Sequence, residues 1–396
     1  MEIKQEHFEF SNNVKIYAGV GALDKLAPMI SLHGGFRVFI VSDHVIEKFG
    51  HVATVVKAIE AREELTIGGM YLEVPSTLTT KDVDDMYVAF RKTGCDAIVG
   101  VGGSRAMKAA KALALLVSTR TKNIADFRGI DGAIRNNHVA FALVPTAYGS
   151  GTEVARTIVV IDEERKTPIE IVNGALQPHF CILDPSFLKT LPDEEIYMGL
   201  IDILSYSIES YLSQRANSLT KSFSKMAMFL VKDNFQKAIV ERNELALNNL
   251  QKAASISAIT YSNTYTGLGH ALAHTLAAVH QIHRDEALCC VFDKVLENLK
   301  DTCKEQYAKM LLFYRGTQDY ASITDDERAD IFLRVIKNII ERLSKEYKVK
   351  THLSDYGVKE EDLGMLADLT LHDGELIAAP KKYTKEEIVE ILRQSL

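Results

Sequence analysis

The sequence is poor in cysteine. Its five cysteines (Cys95, Cys181, Cys289, Cys290 and Cys303) are odd in number and scattered, with no Cys-x-x-Cys pair. That argues against a disulfide scaffold and a cysteine-held zinc, and points to a reducing, cytoplasmic setting. Long apolar runs are missing too, since none approaches the roughly 20 residues that span a bilayer. The opening Met1-Glu2-Ile3-Lys4-Gln5-Glu6 lacks the apolar stretch of a secretory signal. Basic charge is not in excess. Lys and Arg number 46 against 53 Asp and Glu, a net of −7, which disfavours nucleic acid and anionic membrane as partners. A small-molecule substrate is the partner left.

What is present fits an ordinary globular protein: 396 residues, 47% hydrophobic and 25% charged, enough for two domains. Over the first 185 residues short β-rich runs alternate with amphipathic stretches. Phe36–Val41, Ala97–Val101 and Val139–Val144 read as strands, and Val83–Lys92 and Arg105–Leu116 as helices. This alternation predicts a mostly parallel sheet covered on both faces. After Asp184-Pro185 helical periodicity takes over, at Ile196–Leu212, Thr220–Val240, Ala246–Tyr261 and Asp326–Glu346. The expected organisation is an α/β dinucleotide-binding domain, residues 1–185, followed by an all-α domain, 186–396.

Three segments carry chemistry. Gly100-Val101-Gly102-Gly103-Ser104 follows a buried strand and opens a helix. Gly102 and Gly103 let the backbone approach a ligand, and Ser104 reads as the N-cap. Arg105 and Lys108 stand in the first turn, where the helix dipole disfavours cations unless an anion such as pyrophosphate is bound. Asp43 ends an earlier strand, a place where a carboxylate accepts from ribose hydroxyls and repels a 2′-phosphate, favouring NAD over NADP. A plain glycine turn and a solvated aspartate are the competing readings. The second segment, Pro145 to Glu153, mixes glycines with hydroxyls, among them Thr146 and Ser150, suited to wrapping a ribose or phosphate.

The third runs from Gly269-His270 through His274 and His280 to His283-Arg284-Asp285. It holds four of the chain's 12 histidines in fourteen residues, where an even spread would place fewer than one. His270 and His274 share a helical face, an arrangement suited to metal ligation or proton transfer. Histidines packed at a helix interface are the bland alternative.

In this order and combination the segments resemble the iron-containing (group III) alcohol dehydrogenases over nearly the full chain. Ile16–Leu23 is similar to that family's glycine-bearing opening, and Val101–Ser104 to its Gly-Gly-Gly-Ser. Pro145–Glu153 is similar to its Pro-Thr-Thr-x-Gly-Thr-Gly-Ser-Glu, Asp202–Glu209 to its Asp-Ala-Leu-Thr-His-Ala-Ile-Glu, and Ala378–Leu392 to its closing Asn-Pro-Arg and final helix. The resemblance implies the dehydroquinate synthase-like fold of that family, with the active site in a cleft between an α/β and a helical domain. It also implies hydride transfer between NAD(P) and a small alcohol or aldehyde, an iron or zinc ion, and a homodimer or higher homo-oligomer.

The family's metal ligands are one aspartate and three histidines. Asp202 and His270 match two of them, but Tyr206 stands at the first histidine and Arg284 at the third. Two ligands rarely hold a catalytic metal, and a guanidinium repels a dication. His283 or His280 are the candidate substitutes. The cofactor loop departs as well, with Met107 and Ala110 at the family's aspartate and lysine, and Lys111 one place late.

These observations lead to an NAD-dependent oxidoreductase that works with no metal or a weakly held one. Arg284 would stabilise the developing oxyanion, with His274 or Tyr206 as proton donor. An arginine there also suggests an acidic carbonyl substrate. The alternatives are a catalytically impaired nucleotide-binding or assembly protein on the same fold, and a dehydroquinate synthase-like lyase or cyclase.

Overall fold

The computed structural model describes residues 7–121, 123–130, 139–165 and 167–396. The N-terminal hexapeptide read for a signal lies outside them. Nine strands are described: β1 (Lys15–Ala18), β2 (Arg37–Val41), β3 (Thr66–Tyr71), β4 (Ala97–Gly102), β5 (Gly129–Ile130), β6 (Ala140–Pro145), β7 (Thr157–Ile161), β8 (Pro168–Val172) and β9 (Phe180–Leu183). Six form one sheet in the order β1-β9-β6-β4-β2-β3, every pair parallel.

Strands β4 and β6 are buried along their whole length, which explains why they read as unbroken apolar runs instead of alternating ones. Val38 and Ile40, Val99 and Val101, and Ala142 and Val144 line one face and pack with Leu26, Ile30, Val52, Val55 and Ile59. The helix Ser104–Thr119 is buried almost all round and is built mainly from Ala and Leu. A smaller sheet, β5-β8-β7, includes an antiparallel pairing of Thr157–Ile161 with Pro168–Val172.

Packing divides the chain into two compact units. One combines Ser11–Pro192 with Gln236–Ile259; the other is built on Asp193–Phe235 and Thr260–Leu396, with the short N-terminal stretch up to Phe10. A split at residue 185 does not foresee that 236–259 belongs with the α/β unit. The cause is polar. On the helix Glu244–Thr264, Asn248 donates to the Leu183 carbonyl at 3.0 Å, Gln251 to the Pro145 carbonyl at 3.3 Å, and Ser255 to Glu153 at 2.5 Å. Two strand-end carbonyls and one buried carboxylate are thereby tied to this helix.

The helical unit contains Asp193–Leu212, Leu268–His280, Arg284–Asn298 and Arg328–Tyr347 among its helices. From Ile196 to Leu212 every residue of the first is buried, so its periodic apolar stripe widens to the full circumference and brings Asp202 and Glu209 inside. Among the described residues no helix is long and apolar enough to cross a membrane.

Candidate functional site

In the α/β unit the chain runs outward from β2 to β3 on one side, then continues from β4 on the other. Ligands of open parallel sheets bind at the carboxyl ends of strands flanking such a reversal. Asp43 follows β2, Gly102 ends β4 with Gly103 and Ser104 just after it, and Thr146 follows β6, so the fold gathers five predicted cofactor residues at one sheet edge.

Asp43 is nearly buried and caps the short helix His44–Lys48, its Oδ1 accepting from the Val45 and Ile46 N–H groups at 3.0 Å each. The second oxygen makes no cap. His44 bridges Glu47 at 3.0 Å and Glu73 at 2.9 Å, and the two carboxylates raise its pKa. Gly102 has φ +143°, and a Cβ there would lie 2.8 Å from Ala106 Cβ. The N-cap of the following helix is Gly103, with no side-chain cap. This corrects the reading of Ser104 as the cap. Its hydroxyl pairs instead with Thr152 Oγ1 at 3.0 Å, and Thr152 with Ser150 at 2.8 Å.

The Thr146 N–H donates to the Gly102 carbonyl at 3.0 Å, tying the two loops together. Its Oγ1 is buried and has no protein partner. Gly151 (φ +58°) packs so closely that a Cβ would lie 2.2 Å from Ala258 Cβ and 2.5 Å from the Ala254 carbonyl oxygen. Beneath the loop, fully buried Lys111 donates to the Ala155 carbonyl at 2.6 Å. Burial pushes its amine down to about 7, against the attraction of Glu153. In the sequence Lys111 stands out only by its one-place displacement from the family's lysine; its burial comes from the fold.

In the helical unit, Asp202 and Tyr206 lie one turn apart on the Asp193–Leu212 helix. Arg284 and Asp285 open the Arg284–Asn298 helix. Arg284 Nη2 donates to both oxygens of Asp202 at 2.7 Å and to Asp285 Oδ1 at 2.8 Å, and Nε reaches that same oxygen at 3.2 Å. Nη1 donates to the Tyr206 hydroxyl. Burial weakens the Asp202 acid strongly despite Arg284. For Asp285, burial is outweighed by Arg284 and His283, which hold its carboxyl at about 2. Arg284 is thus shared between two buried carboxylates.

The Tyr206 ring is sandwiched, with Tyr261 stacked at 4.2 Å and His270 at 4.3 Å between centroids. His270 is 1% exposed. Its Nδ1 faces Glu209 Oε2 at 2.5 Å, while the same carboxylate accepts from the Gly267 and Gly269 N–H groups at 3.1 and 2.7 Å. His270 Nε2 is buried without a hydrogen-bond partner. Glu209 and Asp285, both missed as site residues, are the groups that lock the site. Their signal was their spacing, one helical turn beyond Tyr206 and one residue beyond Arg284.

The remaining histidines are placed otherwise. His274 Nδ1 meets Asp373 Oδ2 at 3.1 Å. His280 Nε2 is 3.8 Å from Asp362, and exposed His283 is 3.6 Å from Asp285. Among the described residues no three His, Cys, Asp or Glu side chains are arranged to hold a metal ion. His270, with Glu209 fixing its ring, has the form of a metal ligand. Its companions do not fit. Both oxygens of Asp202 already accept from a guanidinium, Tyr206 accepts from the same group, and that fixed charge lies where a dication would need a third imidazole. The donor set present does not fit the family's divalent metal.

Comparison with known proteins agrees with this geometry in fold and family. The family described as "Iron-containing alcohol dehydrogenase" matches residues 13–185. "Fe-containing alcohol dehydrogenase family, C-terminal" matches residues 196–396. The chain belongs to the iron-containing alcohol dehydrogenase family. It is 26% identical to 1,3-propanediol dehydrogenase of Citrobacter freundii over 384 residues, 97% of each chain. With the NAD-dependent methanol dehydrogenase of Bacillus methanolicus it shares 24% over 389 residues, covering 96% of this chain and 97% of that one. Among solved structures, a 1,3-propanediol oxidoreductase superposes with TM-score 0.90 at 24% identity, covering 99% of this chain and all of that one. Alcohol dehydrogenase from Oenococcus oeni superposes with TM-score 0.89 at 22% identity, covering 98% and 100%.

Proposed function

We propose that this protein is an NAD-dependent alcohol dehydrogenase or carbonyl reductase that handles its substrate oxygen with Arg284 and Tyr206, without a divalent metal. The observation that carries the reading is the Arg284 guanidinium, held by Asp202 and Asp285 and donating to Tyr206. In the direction of reduction, hydride passes from nicotinamide to the carbonyl carbon and a proton must reach the oxygen. The Tyr206 oxygen accepts from Arg284, so its own hydrogen is available to the substrate, and the charge left on the phenol is stabilised by the guanidinium. The Asp43, Gly102–Ser104, Thr146 and Ser150 groups supply the NAD side. Asp43 disfavours the extra phosphate of NADP.

The substrate proposed is small and uncharged. An acidic carbonyl bound bidentately needs two N–H groups of an arginine side by side, and those of Arg284 are given to Asp202, Asp285 and Tyr206. Its charge is thereby largely neutralised, which also favours a second reading, an NAD-binding protein without turnover. Activity on a panel of small alcohols and aldehydes, in the presence and absence of a chelator, separates the cases. Turnover unaffected by chelator and lost in Arg284→Ala supports the first reading. Tight NAD binding with no turnover across the panel supports the second, and turnover abolished by chelation overturns the metal-free mechanism.

A further inference from the structure

Three hydroxyls stand in a row at the nucleotide loops. Thr152, only 4% exposed, lies between Ser104 at 3.0 Å and Ser150 at 2.8 Å. Each hydroxyl has one hydrogen to give and lone pairs with which to accept. The two bonds of the row consume two of the three hydrogens, so one is left over. If both serines donated to Thr152, the unspent hydrogen would belong to the buried hydroxyl, where leaving a donor unmatched is costly. Thr152 therefore accepts from one serine and donates to the other, and that second serine keeps the free hydrogen.

The row can run in either direction until a charge polarises it. Ser104 opens the helix Ser104–Thr119, whose N-cap Gly103 supplies no side-chain cap. Uncapped N–H groups and the positive end of the helix dipole thus lie at that end of the row, where an anion draws the Ser104 hydrogen towards itself. A second group there points to a ligand. Thr146, tied to Gly102 through its N–H, is 3% exposed and its hydroxyl oxygen has no protein partner. The row is braced from behind, since Gly151 packs against Ala254 and Ala258, and Glu153 accepts from Ser255.

Resting on the cofactor reading above, we infer that Thr152 is a positioning residue for the phosphates of NAD: it takes the hydrogen of Ser150 and gives its own to Ser104, so that Ser104 alone of the three donates to phosphate. Ser150 then meets the cofactor only as an acceptor, which suits a ribose hydroxyl and not a phosphate oxygen. Two serines of the same chemistry are in this way set to different parts of one ligand.

The test is calorimetric titration of the full-length protein with NAD+ and with inorganic pyrophosphate, which carries phosphate without ribose. Ser104→Ala should weaken both by about tenfold, the scale of one hydrogen bond to a charged group. Thr152→Val should weaken both by about threefold, and Thr152→Ser should restore the wild-type affinity. Ser150→Ala should weaken pyrophosphate by about threefold, and not at all in the Thr152→Val background, because its effect passes through Thr152. Should Thr152→Val misfold, Thr152→Ala takes its place; should pyrophosphate bind too weakly to titrate, the dependence of Ser150→Ala on Thr152 is read from NAD+. A loss from Ser150→Ala equal to or larger than that from Ser104→Ala on pyrophosphate overturns the direction of the row. A Ser150→Ala effect that is undiminished in Thr152→Val overturns the role of Thr152, as does NAD+ binding unchanged in Thr152→Val, with the cofactor reading left standing. A wild type that does not bind NAD+ overturns the cofactor reading and the inference with it.

Discussion

Arg284 Nη2 lies 2.7 Å from each carboxylate oxygen of Asp202, so a cation belonging to the chain itself neutralises the aspartate that matches a family ligand. The guanidinium does three things at once. It pairs Asp202, pairs Asp285, and donates to the Tyr206 hydroxyl.

A lysine has three N–H donors but on one nitrogen at the end of a flexible stem, without the width of the fork that Arg284 spreads over Nη1 and Nη2. Arg284→Lys is therefore expected to keep the charge but lose kcat by about 10²-fold, the scale of one lost oxyanion-stabilising donor. Arg284→Ala should in addition cost about 3–5 kcal/mol of stability, because it strands a buried carboxylate. Steady-state kinetics with urea midpoints on both variants checks this. Equal loss of kcat and unaltered stability in the two would show that the ion pair matters little to folding.

If Tyr206 and Arg284 are what exclude a dication, replacing both should admit one. The double variant Y206H/R284H, with Asp202 and His270, restores the family's donor set. It should bind about one equivalent of zinc or ferrous iron after dialysis, whereas the wild type binds none tightly. Elemental analysis decides, and an empty double variant would mean that the backbone positions themselves no longer suit the ion.

Much of this was legible in the sequence, for physical reasons that differ by element. β4 and β6 declare themselves because strands buried on both faces must be apolar throughout. β3, with Gly68 and Gly69, has no such run, and its place comes from pairing with β2. The departures at Tyr206 and Arg284 could be read as substitutions at fixed spacings. What those residues touch could not, since Asp202 and Arg284 are 82 positions apart and only the packed helices bring them together. Ser104 misled because serine is a good cap wherever it stands. The glycine before it had already taken that role, leaving the hydroxyl for Thr152. The helix Glu244–Thr264 was found, but its affiliation with the α/β unit depends on three long-range hydrogen bonds that periodicity does not encode.

Asp43 makes two contributions that one substitution can separate. Its Oδ1 caps a helix start, and its charge is proposed to repel a 2′-phosphate. Asp43→Asn retains a capping oxygen and should cost little stability. Asp43→Ala should cost about 1 kcal/mol. Both should erode the preference for NAD over NADP by roughly tenfold or more, the scale of one lost like-charge repulsion. Kd values for the two cofactors, set beside thermal midpoints, check it. A preference unchanged in both variants would remove Asp43 from the cofactor site.

Lys111 provides a prediction about pH. Its amine is fully buried and titrates at about 7, against 10.5 in its ordinary surroundings. Between those values the unfolded chain carries the proton and the folded chain does not. The unfolded state thus binds more protons, and stability must rise with pH across that window by up to ~1.4 kcal/mol per pH unit. Below pH 7 both states hold the proton and the slope vanishes, leaving the full cost of a buried cation. Lys111→Met removes the group, keeps the apolar stem, and gives up the hydrogen bond to the Ala155 carbonyl. Urea unfolding at pH 6, 7.5 and 9 should show the wild type gaining stability at the upper end while the variant stays flatter. Parallel curves for the two proteins would mean that the amine stays protonated in the fold, held by Glu153 more strongly than its burial allows.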